Sequence, residues 1–193
     1  MFLTAFVALS LLTVPLFGCR LERLSQVRLR RAPLIFAALA IQIVIVNVMP
    51  GGNPGLHQAL HLFSYGLAAM FLIANRRVAG MWLLAIGAAA NFSAIVANNG
   101  IMPASAGALR AAGEAPSTKF LNSAFIAHPR LLFLGDVFAI PKAWPLHNVF
   151  SIGDVCIAFG AGIAIHSISG SRLARRRRVI DDEVPVEAVA TSA

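Results

Sequence analysis

Apolar and polar positions in this chain alternate by whole segments, not by single residues. Long apolar runs cover 2–18, 33–48, 56–74, 80–97 and 149–169, and most charges fall in the links between them. A helix rises about 1.5 Å per residue and needs roughly 20 apolar residues to cross the hydrocarbon of a bilayer. The pattern therefore predicts an all-α, polytopic membrane helix bundle of five transmembrane helices over those ranges, in a single domain spanning 1–170. The remainder, 171–193, is basic and then acidic and reads as a disordered cytoplasmic tail, with Arg175 to Arg178 against anionic headgroups.

The links set the orientation. Arg20, Arg23, Arg28, Arg30 and Arg31 stand against Glu22 in the first, and Arg76 and Arg77 occupy the third. Arg172 and Arg175 to Arg178 follow the last run. With five crossings all three basic regions share one side, which the positive-inside rule makes the cytoplasm. The N-terminus is then outside and the C-terminus inside, as expected of a bacterial cytoplasmic membrane protein. The uncharged turn with Pro50, Gly51, Gly52 and Pro54 suits an outer position.

The segment 98–148 then lies on the outer face. Its stretches 120–127 and 131–140 are too short to span yet apolar enough to lie in the interface or dip into the bundle. Pro103, Pro116, Pro129, Pro141 and Pro145 interrupt any continuous helix there. The expectation is a partly embedded outer loop.

Composition agrees with the pattern. Hydrophobic residues make up 58% and charged residues 12%, against roughly 25% charge in soluble domains. The net charge of +8 would suggest nucleic acid in a soluble protein. Here the arginines sit at the ends of apolar runs, so the bilayer is the expected partner and nucleic acid is not. Cys19 and Cys156 cannot form a disulfide framework. Leu16-Phe17-Gly18-Cys19 loosely resembles a lipoprotein cleavage box, but Met1 to Thr4 lack a positive n-region, and a plain first helix is expected.

Candidate chemistry rests on a few polar residues in apolar surroundings, where ionisable groups count as functional by default. Asp136 and Asp154, 18 residues apart, each lie between a glycine and a valine. Two neighbouring carboxylates sharing a proton can act as general base on water and general acid on a leaving amine. A structural reading stands beside this: Ser151-Ile152-Gly153-Asp154 has capping-box spacing, and Asp136 after a glycine can start a turn. Asn98-Asn99-Gly100 reads as a helix C-cap, or places the Asn98 and Asn99 amides, with Ser151, at the outer mouth as substrate-orienting groups.

The stretch from Arg130 to Ile163 resembles the C-terminal part of lipoprotein signal peptidases, the signal peptidase II family. Asp136 matches that family's first catalytic aspartate, Asp154 its second and Phe150 its phenylalanine, while Ser151 and Gly153 stand where it carries asparagine and alanine. The resemblance implies an aspartyl peptidase acting on a membrane-embedded peptide. Over its whole length the chain resembles a family of small bacterial polytopic membrane proteins of unknown function. That likeness is carried by the basic link 20–31, Ala74-Asn75-Arg76-Arg77, Asn98-Asn99-Gly100-Ile101-Met102-Pro103 and the paired Gly-Asp motifs, and implies a fold without an activity.

His57 and His61 share a helical face and, with His128, His147 or an aspartate, have a spacing that can bind zinc. No compact Cys/His motif accompanies them, and the expectation is no metal and no cofactor. Gln42, Asn91 and His166 read as interhelical hydrogen-bond partners. The preferred expectation is a membrane-embedded aspartyl hydrolase or peptidase using Asp136 and Asp154. The alternative is a non-enzymatic membrane protein that binds or transports a small ligand or supports a partner complex. Oligomeric state is left open.

Overall fold

The computed structural model describes residues 2–17, 26, 28–45, 54–114 and 123–170. The tail 171–193, Cys19, Arg20 and Arg23 of the first link, and Pro50 to Gly52 of the outer turn lie outside the described residues.

Five helices occupy the five apolar runs: α1 (Phe2–Leu16), α2 (Ala32–Ile43), α3 (Pro54–Ala74), α4 (Met81–Ala97) and α6 (Ile152–Ile168). Of these, α3 is long and apolar enough to cross a membrane, and the other four are shorter apolar helices. Packing runs through neighbours in the order α2, α3, α4, α6, α1. The arginine-bearing links meet at one end. Asn75 after α3 bonds the Arg30 backbone before α2, Gly80 before α4 abuts Ala164 of α6, and Phe17 after α1 stacks edge-on against His166 of α6.

The tightest seam joins α4 to α6. Gly80 and Gly87 on one side face Gly160 and Gly153 on the other, so the antiparallel backbones approach until carbonyl oxygens fill the space a side chain would take. Small residues permit this approach, and dispersion between close backbones then favours association even where no hydrophobic drive exists. A second contact, Gly162 against Ser10 and Phe6, seats α1 on α6, with Phe6 and Phe159 rings 5.2 Å apart. Polar side chains tie neighbouring helices: Gln42 Nε2 donates to Ser64 Oγ at 3.3 Å, and Thr13 Oγ1 lies 3.2 Å from His166 Nε2.

Where a partly embedded loop is expected, the described part of 98–148 carries regular structure. It folds as a small cap: β1 (Met102–Pro103), α5 (Ala106–Ala112), β2 (Ser123–Ala124), a 3₁₀ turn (Leu132–Leu134), β3 (Phe138–Ile140) and β4 (Asn148–Phe150). β1 pairs in parallel with β2, and β3 antiparallel with β4. The prolines do deny a long helix, but they leave room for α5, whose N-cap Ser105 accepts from Ala108 N and whose chain reverses at Gly113 (φ 73°). Ala104, Ala108, Leu109, Ala112 and Val149 give the cap its own small core. Ala94, Ile95 and Met102, packed by Tyr65 and Leu134, join it to the helices.

The two kinds of glycine separate in a stability test. Gly160→Ala pushes a methyl into Leu84 N (2.7 Å) and Gly80 O (2.9 Å), so a loss of about 1–3 kcal/mol is expected. Gly66→Ala on α3 meets nothing within 4 Å and should be stabilising by roughly 0.5–1 kcal/mol. Unfolding in mixed micelles measures both, and equal effects would refute the seam.

Candidate functional site

Two features stand out: a buried polar node where α4, α6 and the cap meet, and an apolar groove running between α3 and α4.

The node starts from Asn91. Because Gly153 carries no side chain, the Asn91 amide lies directly against the first turn of α6. Asn91 Nδ2 donates to Asp154 Oδ1 at 2.8 Å, and Asn91 Oδ1 accepts from Ser151 Oγ at 2.8 Å. Ser151 and Asp154 form the capping box: Asp154 N donates to Ser151 Oγ at 3.0 Å, and Ser151 N to Asp154 Oδ2 at 3.1 Å. Both carboxylate oxygens of Asp154 thus accept hydrogen bonds. Ser151 is fully buried, so its hydroxyl acts inside the node.

Asp136 arrives from the cap. Gly135 lies so close to Pro103 O that no side chain fits there, and Asp136 forms a single bridge to Ala104, just past β1. Its N–H donates to Pro103 O at 2.9 Å and its carbonyl accepts from Ser105 N at 3.0 Å. The side chain is buried. In both Gly-Asp pairs, then, the glycine marks a close backbone approach that delivers the following aspartate.

The two asparagines that end α4 part company. Asn98 Nδ2 donates to Ala94 O and to Arg130 O, both at 2.7 Å, and its Oδ1 accepts from Arg130 N at 2.9 Å. Its amide clamps the cap to α4. Asn99 is exposed in left-handed backbone (φ 55°), followed by Gly100 (φ 89°), as a helix C-cap requires. His57 and His61 are buried on α3 within electrostatic reach of one another, while His128 and His147 are exposed. Among the described residues no group of three or more His, Cys, Asp or Glu comes together.

A family model matches residues 26–166 and is described as a family of unknown function, DUF5317. The chain belongs to that family. The match runs from the link before α2 almost to the end of α6, so in this DUF5317 protein it takes in the polar node, Tyr65 and the groove. No curated protein and no solved structure matches the chain. None of these comparisons shows the resemblance to signal peptidase II.

The groove between α3 and α4 encloses about 430 Å³, within the usual size of ligand pockets. Gly66, Ala69, Ala85 and Ala89 make its walls, and Tyr65 with Phe92 lies toward the end nearer the cap, ring centroids 5.3 Å apart. Arg76 and Trp82 line the opposite end. Sequence reading missed Tyr65, although it is the sole tyrosine among 13 phenylalanines and stands four residues after His61. A lone phenol four residues from a histidine on one apolar run was the available signal.

The node should behave as one unit. Asn91→Ala and Asp154→Ala each strand a buried polar partner and should cost about 1–3 kcal/mol. The double variant should fall short of their sum by about 0.5–3 kcal/mol. A thermal-unfolding cycle measures the coupling, and strict additivity would show that the contact contributes nothing.

Proposed function

We propose that this DUF5317 protein is a multi-pass membrane protein whose five apolar helices all cross the bilayer, N-terminus outside and C-terminus in the cytoplasm, and that it binds a bilayer lipid in the α3/α4 groove without catalysing a reaction. Membrane residence is supported by the outward faces of the helices. Large apolar side chains stand exposed on all five helices, Leu12 at 72%, Phe36 at 68% and Phe63 at 59% among them, more apolar exposure than a water-soluble monomer normally presents. At 17 residues, α4 and α6 reach about 26 Å, the short end of the spanning range. The orientation follows from the arginine-bearing end.

The observation that carries the binding reading is the groove itself. Elsewhere neighbouring helices meet through glycine or hydrogen-bonded seams, whereas α3 and α4 stand apart along small residues and leave an apolar space open. A bilayer lipid matches that lining. Asp154 then serves as a strut that fixes the start of α6.

A second reading, an aspartyl hydrolase using Asp136 and Asp154, draws support from the burial of Asp136 and the hydrogen-bonded placement of Asp154, each following a glycine at a close approach. Under it, Asp136→Asn and Asp154→Asn each abolish cleavage of a membrane peptide by folded, reconstituted protein. Cleavage intact in either variant removes it.

Gly66 tests the binding reading, because a side chain there meets no protein atom within 4 Å and extends into the groove. Native mass spectrometry of detergent-extracted protein should show a lipid-mass adduct that Gly66→Phe loses while the helical circular dichroism is kept. Adducts unchanged in Gly66→Phe would contradict the groove as the site.

A further inference from the structure

Resting on that reading of the groove, we propose that its occupant is an anionic phospholipid whose phosphate headgroup is held by a bowl of arginines at the cytoplasmic end. Arg28, Arg30 and Arg31 from the link before α2 and Arg76 and Arg77 from the turn after α3 surround one cavity of about 680 Å³. No carboxylate lines it among the described residues.

Arginines at a cytoplasmic helix end orient a membrane protein wherever they point. Orientation does not explain why these two links are locked together. Asn75 is buried, its Oδ1 accepts from Arg30 N at 2.8 Å, and its Nδ2 donates to Arg30 O and to Phe71 O at 2.8 Å each. Arg31 holds left-handed backbone (φ 57°) immediately before α2, a conformation that non-glycine residues keep only where the surroundings impose it. The five guanidinium side chains are exposed and gathered around a fixed frame. Planar guanidinium groups bind phosphate through paired N–H donors.

The bowl and the groove share Ile73 and Arg76, so one molecule with an acidic head and an apolar tail reaches both. Free phosphate would leave the groove unfilled. A zwitterionic lipid would leave most of the positive charge uncompensated. Charge complementarity therefore selects an anionic headgroup, as basic pockets between helices do on the cytoplasmic side of membranes.

Trp82 lines the groove and is one of only two tryptophans, so Trp144→Phe makes it the sole reporter. The full chain carrying that substitution is reconstituted in phosphatidylcholine vesicles and titrated with phosphatidylglycerol or phosphatidylcholine bearing brominated acyl chains. Brominated phosphatidylglycerol should quench Trp82 saturably at low mole fraction, and brominated phosphatidylcholine only in proportion to its share of the bilayer. Arg30→Gln with Arg76→Gln should weaken the phosphatidylglycerol response by about tenfold or more, at roughly fivefold per arginine. Arg76→Gln alone, on an exposed turn, should shift it in the same direction if the double variant does not fold. Arg130→Gln at the opposite end should leave the curve in place.

Saturable quenching by both lipids alike would overturn the headgroup assignment while leaving the groove. No saturable quenching by either would overturn the groove reading beneath it. Retention of the anionic preference in folded arginine variants, or release of the lipid by inorganic phosphate alone, would also refute the proposal.

Discussion

The structure depends on how closely α4 and α6 approach. Four glycines, spaced by seven residues on each helix, bring the two backbones together so that a methyl group has no room. Only at that separation does Asn91 reach across to Ser151 and Asp154, and only with that bridge is the first turn of α6 held against α4. The cap inherits its position from the same place, since β4 runs directly into the N-cap Ser151. Asn98 repeats the arrangement about two turns further along α4 by gripping the Arg130 backbone. Apolar helices have no hydrophobic reason to prefer one neighbour to another in lipid, so backbone proximity and a few buried hydrogen bonds decide the partners.

The α3/α4 boundary is built by the opposite rule. Small residues there do not interlock: Gly66 faces open space, and alanines on both sides leave the groove unfilled. α2 closes on the other side of α3 through Gln42 and Ser64 and through the Asn75 clamp at the arginine end. The molecule therefore has one tight half, α1, α6 and α4, and one paired arm, α2 and α3, with the groove between them. Tyr65 and Phe92 mark the end of the groove nearer the cap, and Arg76 marks the other.

Much of this was legible in the residues. Charge-free runs gave the helices to within a few positions, because run length alone decides them. Ser151 to Asp154 and Asn98 to Gly100 announced their caps, since capping is local and needs only a few consecutive residues. The partners of Asn91 and Asn75 were hidden, because each bridges residues tens of positions away. The faces of the helices were equally hidden: α6 is apolar all round, with no stripe to show which side packs. The Gly-Asp pairs fell between these cases. Their chemistry drew attention to the aspartates, whereas the structure explains first the glycines, each at a close backbone approach to another segment. The cap escaped because its short strands are paired across the proline-broken loop and carry too little pattern of their own.

The account stands on the two ends of the bundle facing opposite sides of a membrane. Lys142 in the cap and Arg77 in the arginine bowl are both exposed and lie at those opposite ends. In a chain with Cys19 and Cys156 replaced by serine, Lys142→Cys and Arg77→Cys are each treated with a membrane-impermeant maleimide in intact cells and again after lysis. Labelling of Lys142→Cys in intact cells, with Arg77→Cys labelled only after lysis, is the expected result. Labelling of Arg77→Cys in intact cells, or protection of Lys142→Cys until lysis, would contradict the account.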